Sequence, residues 1–245
     1  NQIFIMVQDV AHARAIGDIV SKALTQKDWK VLGTEIYPTG ALDYATGLLK
    51  VRDQKAQILF VWMDHPEIAI LVKQWKDLKI PALPIAGISS AVEQPGGWAN
   101  TDGAVAYWVA SPANAGNAPS NATPLTMKFY EAYKKRWLVE PEGYGTSSSY
   151  TAVYVLADAI RRAGSLDADK LVSALEKTDM VGVYGKIAFD PKSHQVIPSY
   201  NPKEGAVGTW FQWQDGKRVV VWPNAISTGK IRIPPGVAGP KSEAK

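Results

Sequence analysis

The sequence contains no cysteine. That removes disulfides, thiol nucleophiles and thiolate metal sites in one step, and it fits an oxidising compartment without requiring one. Histidine is scarce, at three residues. No apolar run approaches the roughly eighteen residues that would span a bilayer. The formal charge of +4 is spread along the chain rather than gathered into a basic block. A nucleic-acid partner is therefore not expected, because phosphate recognition needs Lys and Arg clustered on one face. Several catalytic signatures are also absent. The first strand–helix turn has no Gly-x-Gly-x-x-Gly, and the chain has neither a Gly-Lys-Ser/Thr loop nor a Gly-x-Ser-x-Gly elbow. Without them there is no dinucleotide cradle, no triphosphate loop and no hydrolase nucleophile.

What is present is an alternating pattern of strands and helices. Ile3–Gln8 is a continuous apolar run closed by one polar residue, as expected of a strand buried on both faces. A helix follows with Ile16, Ile19, Val20, Ala23 and Leu24 on one face. Val31–Tyr37 reads as the second strand, stopped by Pro38-Thr39-Gly40, and Tyr44, Leu48 and Val51 mark the next helix. Ile58–Met63 reads as the third strand, and Ile68, Leu71, Val72, Trp75 and Leu78 give a three-four spacing. Leu83–Gly87 and Gly103–Val109 are the expected fourth and fifth strands. The fold class expected is α/β, a doubly wound parallel sheet.

Beyond Ser111 the pattern changes. A polar loop, Pro112–Pro124, precedes three successive helices at Thr126–Leu138, Ser148–Ala163 and Ala168–Thr178. Strand signals return at Tyr184–Asp190, Gly205–Trp213 and Arg218–Trp222, the last two joined by Asp215-Gly216, a hairpin turn pair. Glu140–Gly145 is the best linker candidate, and Ile233–Lys245, with three prolines and two glycines, reads as a loose tail. Asn1 leads straight into a strand, so it is not expected to be a native start, and the residues from Asn1 onward do not read as a signal peptide.

Open α/β sheets bind ligands beyond the carboxyl ends of their strands, where strand order reverses. With the order 2-1-3-4-5 that crevice lies between the loops after strands one and three. Those loops carry Asp9, His12, Ala13, Arg14, Asp64 and His65, flanked by Ile88, Ser89 and Ser90 after strand four. Asp is also a common helix cap, so Asp9 and Asp64 have a purely structural reading. An Arg in a first helical turn opposes the helix dipole, which leaves Arg14 either a carboxylate reader or a surface residue. A metal-dependent hydrolase built from Asp9, His12, Asp64 and His65 is the enzymatic alternative, although no tight ligand motif supports a metal. No metal, cofactor or catalytic residue is expected.

The sequence resembles a known family, the type I periplasmic binding proteins of the leucine/isoleucine/valine-binding kind. The likeness is carried by the opening strand with Asp9, by Glu35–Tyr44, by Ile58–Val61 with its helix ending Lys76-Asp77-Leu78, and by Gly103–Ser111. It continues through Phe129-Tyr130-x-x-Tyr133, Tyr150–Gly164 and Gly182–Asp190. The resemblance implies two lobes joined by three crossovers, with a small solute clamped between them and the closed form docking on an ABC permease in the inner membrane. It implies a non-enzymatic periplasmic receptor without cofactors. Residues 1–142 would be the second lobe, 143–204 a crossover and part of the first, 205–222 the return to the second, and 223–245 a tail. The amino-terminal part of the first lobe, which precedes Asn1 in relatives, would be absent. The apolar faces of the helices after Gly143 would then be covered by a separate fragment, a second copy of the chain or a swapped element. Two departures from the amino-acid-binding pattern stand out. Ala13 (or Ala11) occupies the place of a usual Tyr, and Ile88-Ser89 the place of a usual acid. His65, Tyr144 and Tyr150 fall near positions where relatives carry aromatic residues. Trp98, in a Gly-Gly-Trp loop, is a further cleft candidate, whereas Trp75 and Trp137 have core spacing. The solute expected is an amino acid, an aromatic acid or an amide. A sensor module of a signalling receptor with the same fold is the non-transport alternative.

Overall fold

A computed structural model describes residues 1–237, with the side chain of Ser90 excluded. In chain order the first elements are β1 (Gln2–Gln8), α1 (Ala11–Thr25), β2 (Lys30–Tyr37), α2 (Ala45–Asp53) and β3 (Ile58–Trp62). They are followed by α3 (Ile68–Asp77), β4 (Leu83–Ala86), α4 (Ser90–Glu93), α5 (Gly97–Asn100) and β5 (Val109–Ala110). Then come α6 (Thr126–Trp137), α7 (Thr146–Ala163), α8 (Ala168–Glu176), β6 (Met180–Gly182), β7 (Gly185–Ile187), β8 (Trp210–Gln214) and β9 (Lys217–Trp222). Two compact units result. The first comprises Asn1–Ala110, Gln212–Lys217 and the described residues from Ile231 onward; the second comprises Ser111–Phe211 and Arg218–Lys230.

The first unit is a parallel sheet in the order β2-β1-β3-β4-β5. Its central strands are apolar because both faces are covered: Ile3, Phe4, Ile5, Met6 and Val7 are all buried, as are Leu59 and Val61. On one face α1 lays Ile16, Val20 and Leu24 against Ile3, Ile5, Val7 and Phe60. Ile19, expected on that face, is instead exposed. Helix α3 buries Ile68, Leu71, Val72 and Trp75, as its three-four spacing requires. The fifth strand is far shorter than Gly103–Val109. Asp102, Gly103 and Tyr107 adopt positive φ, and turn hydrogen bonds such as Ala104 N–H to Thr101 C=O absorb the segment before Val109. The hairpin tip lies beside this stretch, Tyr107 N–H donating to Trp213 C=O and Trp213 N–H to Trp108 C=O. Asp215 and Gly216 both have positive φ, the geometry that favours Asp-Gly in a tight hairpin. Just ahead of the tail the chain is tied down. Arg232 exchanges two backbone-to-side-chain hydrogen bonds with Gln212, at 2.7 and 2.8 Å. Residues 238–245 lie outside the described residues.

The second unit is helical, with the small antiparallel pair β6-β7. The leading stretch of the first unit runs to Ala110 rather than to Glu142, and Ser111–Glu142 belongs to the second unit. Asn114 donates to Ser148 Oγ and accepts from Ser147 Oγ. Thr123 and Thr126 hydroxyls donate to the carbonyls of Gly182 and Val183. Val155 of α7 packs with Ile187 and Ala206, and Leu175 of α8 joins them. The opposite side of α7 is open: Val153 is 67% exposed and Leu156 46%. Trp137, given a core position from its spacing, is 57% exposed at the end of α6. Among the described residues no helix is long and apolar enough to cross a membrane.

Candidate functional site

The loops after β1 and β3 meet at the same end of the sheet. His12, in the first turn of α1, hydrogen-bonds Asp64 across 52 positions of sequence. Asp9 pairs with Arg14. Neither aspartate takes the capping role. The N-cap of α1 is Val10 and that of α3 is Glu67, neither with a side-chain cap bond, and the carboxylates turn to Arg14 and His12 instead. Arg14 therefore offsets its unfavourable place at a helix start by neutralising an acid one turn away. His65 is exposed beside this pair. Among the described residues no group of three or more acids and histidines is arranged to hold a metal ion. Two pairings are made here, His12 with Asp64 and Asp9 with Arg14.

Two features beneath these couples were not singled out from the sequence. Gln8, the last residue of β1, is 3% exposed. Its amide nitrogen donates to Thr39 Oγ1 at 3.0 Å and its oxygen accepts from Asp64 N–H at 3.1 Å. Glu67 makes a second tie, accepting from Gly40 N–H at 2.8 Å. The space enclosed by Gln8, Tyr37, Tyr44, Met63 and Glu67 is about 10 Å³, room for no more than a single water. That floor is closed, and the open surface above it is formed by the loop side chains. Tyr37 and Tyr44 are pushed up to about 12, chiefly by burial, with Glu35 and Glu67 respectively adding to the shift. Both remain neutral phenols.

After β4, Gly87 has the indole of Trp62 packed on it: a Cβ there would stand 2.0 Å from the ring. Ser89 is fully buried and accepts a long 3.5 Å contact from Met63 N–H, so it shapes the floor. Ile88 is half-buried. Ser90 begins α4, and its side chain lies outside the described residues. Two candidates are placed elsewhere. Ala13 is fully buried among Ile3, Ile5, Val7 and Phe60, because the period of α1 puts positions 13, 16, 20 and 24 on its core face. Trp98 packs against Trp213 and over Gly103 and Gly216, beside the stretch that leads into β5 rather than at the strand ends. Tyr144 and Tyr150 belong to the second unit. Tyr144 is exposed, and Tyr150 stacks with Phe129 and Tyr154 at 4.7 and 5.0 Å.

One buried amide, Gln8, and two paired charge couples thus stand at the reversal point of a 2-1-3-4-5 sheet. The family model of periplasmic binding proteins matches residues 1–202. The chain belongs to the type I periplasmic binding proteins, of the leucine/isoleucine/valine-binding kind. Among curated relatives, a Leu/Ile/Val-binding protein homolog of Brucella suis biovar 1 is 27% identical over 220 residues, covering 88% of this chain and 55% of its own length. A crystal structure assigned as a branched-chain amino acid ABC transporter from Silicibacter pomeroyi has a TM-score of 0.82 at 17% identity, covering 96% of this chain and 62% of that one. A solute-binding protein of R. palustris in complex with benzoate has a TM-score of 0.70 at 11% identity, covering 92% and 61%. These structures establish the fold. The chain spans a little over half the length of the Brucella relative and about three fifths of the structural neighbours.

Proposed function

We propose that this chain is part of the solute-binding receptor of an ABC importer, and that the loops after β1, β3 and β4 form one wall of the solute site. The observation that carries this reading is the His12–Asp64 couple, which joins two loops at the end of the sheet where such folds take ligands. Asp9, Arg14, His65 and Ile88 belong to the same wall, with Ser89 buried beneath it. The receptor is periplasmic, needs no cofactor, and hands its solute to an inner-membrane permease. The two acids of the wall are already matched by Arg14 and His12, and Ser89 is buried. This favours a solute without an ammonium group, an aromatic acid or amide, over an α-amino acid.

The exposed apolar side of α7, with Val153 and Leu156, is in this reading a surface covered by further polypeptide. Each large apolar side chain covered there contributes roughly 1.5–3 kcal/mol. Sedimentation of the 245-residue chain tests this, with self-association expected when that face is left open.

The decisive experiment is calorimetric titration of the full-length protein with benzoate, 3,4-dihydroxybenzoate, leucine and isoleucine. Asp64→Ala and His65→Ala are each expected to weaken binding of the solute by about 1–3 kcal/mol, the cost of leaving a polar group of the bound solute without its partner. Affinity unchanged in both variants sinks the site assignment.

A further inference from the structure

A buried polar residue at the end of a strand whose other buried positions are all apolar demands an account. β1 runs Ile3, Phe4, Ile5, Met6 and Val7, every one buried, and then ends on Gln8, which is just as buried. A buried side-chain amide is costly unless both its ends are bonded. Both ends of Gln8 are bonded, and to two different loops. The nitrogen reaches Thr39 in the loop after β2, and the oxygen holds the backbone N–H of Asp64 in the loop after β3. Asp64 is the residue whose carboxylate meets His12 of α1. The amide thus sits where the ends of β1, β2 and β3 converge, and one planar group sets the spacing among them.

We infer that Gln8 is the positioning residue of the crevice: its amide fixes the backbone of Asp64, and through it the His12–Asp64 couple presented to the solute. The assignment of that couple to a solute site rests on the function proposed above, but the positioning role does not need a solute to be tested. Gln8 touches no solute in this scheme; it acts through Asp64. An apolar residue of the same length would fill the space and leave Asp64 N–H without its acceptor. Glu at this place keeps an acceptor for Asp64 N–H and can still accept from the Thr39 hydroxyl.

The test uses the isotopically labelled 245-residue chain without any solute. The ring-nitrogen chemical shifts of His12 report how fully it is paired with Asp64. In Gln8→Met the paired population is expected to fall about threefold to tenfold, the worth of one hydrogen bond, with the amide spectrum of β3 and β4 unchanged. Gln8→Glu is expected to restore pairing. A Gln8→Met protein with a native amide spectrum and wild-type His12 shifts overturns the inference, as does failure of Gln8→Glu to restore them. Should Gln8→Met fail to fold, hydrogen exchange in the wild-type chain decides. The Asp64 amide is expected to exchange at least about tenfold more slowly than an unstructured amide, and exchange at the unstructured rate overturns the inference. A protein that binds none of the solutes tried leaves these readouts untouched, so the two readings fail separately.

Discussion

Arg218 is the most deeply buried charge in an ion pair of the second unit, its side chain 1% exposed. Its Nε and Nη2 both donate to Glu140 Oε2, at 3.1 and 2.8 Å, and Nη2 reaches the Tyr130 hydroxyl at 3.4 Å. The guanidinium also lies 5.5 Å from the centre of the Phe211 ring. Glu140, by contrast, is 36% exposed and stands in the connection between α6 and α7. That asymmetry gives a directional prediction. Glu140→Ala deprives a buried cation of its carboxylate. The loss reaches about 3–5 kcal/mol for fully buried pairs, and partial exposure of this pair brings it to about 2–4 kcal/mol. Arg218→Met fills the slot with an apolar stem and leaves a carboxylate that water can reach, so it is expected to cost only about 1–2 kcal/mol. The double variant should be no less stable than Glu140→Ala alone, and about 1 kcal/mol more stable if the stranded charge dominates. Urea unfolding followed by far-ultraviolet circular dichroism measures all three, provided the slope with denaturant is unchanged. An Arg218→Met protein as unstable as Glu140→Ala, together with additive losses in the double variant, refutes the argument from desolvation.

Three further outcomes follow from single features. Gly87→Ala sets a methyl 2.0 Å from the Trp62 ring, and the overpacking is expected to cost about 1–3 kcal/mol, read as a lower urea midpoint with altered tryptophan emission. Asp158 bonds Arg162 and Arg161, which hold its carboxyl below the usual 3.8. A depressed folded value means that its contribution is present above that pH and lost as pH falls below it. Asp158→Asn should therefore flatten the acid limb of the stability–pH curve, and an unaltered limb counts against the pairing. Tyr37 is raised to about 12, first by burial and then by Glu35. Its folded state keeps the proton that the unfolded chain releases near 10, so stability is full below about pH 10 and is lost as pH climbs toward 12. Ultraviolet-absorbance titration of the wild type against Tyr37→Phe should show one late-ionising phenol removed, and a normal titration in the wild type contradicts the burial argument.

The parts of this fold that can be read from sequence are those whose physics is local and periodic. Strands β1, β3 and β4 announce themselves because a parallel sheet covered on both faces needs unbroken apolar runs, whereas the edge strand β2 has no buried residue and is marked by the Pro38-Thr39-Gly40 turn that stops it. Helix α3 follows from its three-four spacing, and the Asp215-Gly216 turn from the φ values only such residues accept. The strand expected at Gly103–Val109 is cut to Val109–Ala110 because apolar composition hides the positive φ of Tyr107, a backbone choice stabilised by turn bonds. The period that Ala13 shares with Ile16, Val20 and Leu24 places it in the core rather than in the crevice.

The site divides along the same line. Topology brings the loops after β1 and β3 together, and that rule is enough to nominate Asp9, His12, Arg14, Asp64 and His65. Which acid meets which base is another matter, since His12 and Asp64 are 52 positions apart and Asp9 and Arg14 only five. No spacing rule chooses between them. Gln8 shows why the floor of the site escapes such reading. In sequence it only closes an apolar run, as a strand leaving the core should. Its function in the fold comes from two loops that arrive from 31 and 56 positions away to use the two ends of one amide. A buried polar group is informative only once its partners are known, and those partners are assembled by the same sheet topology that creates the crevice above it.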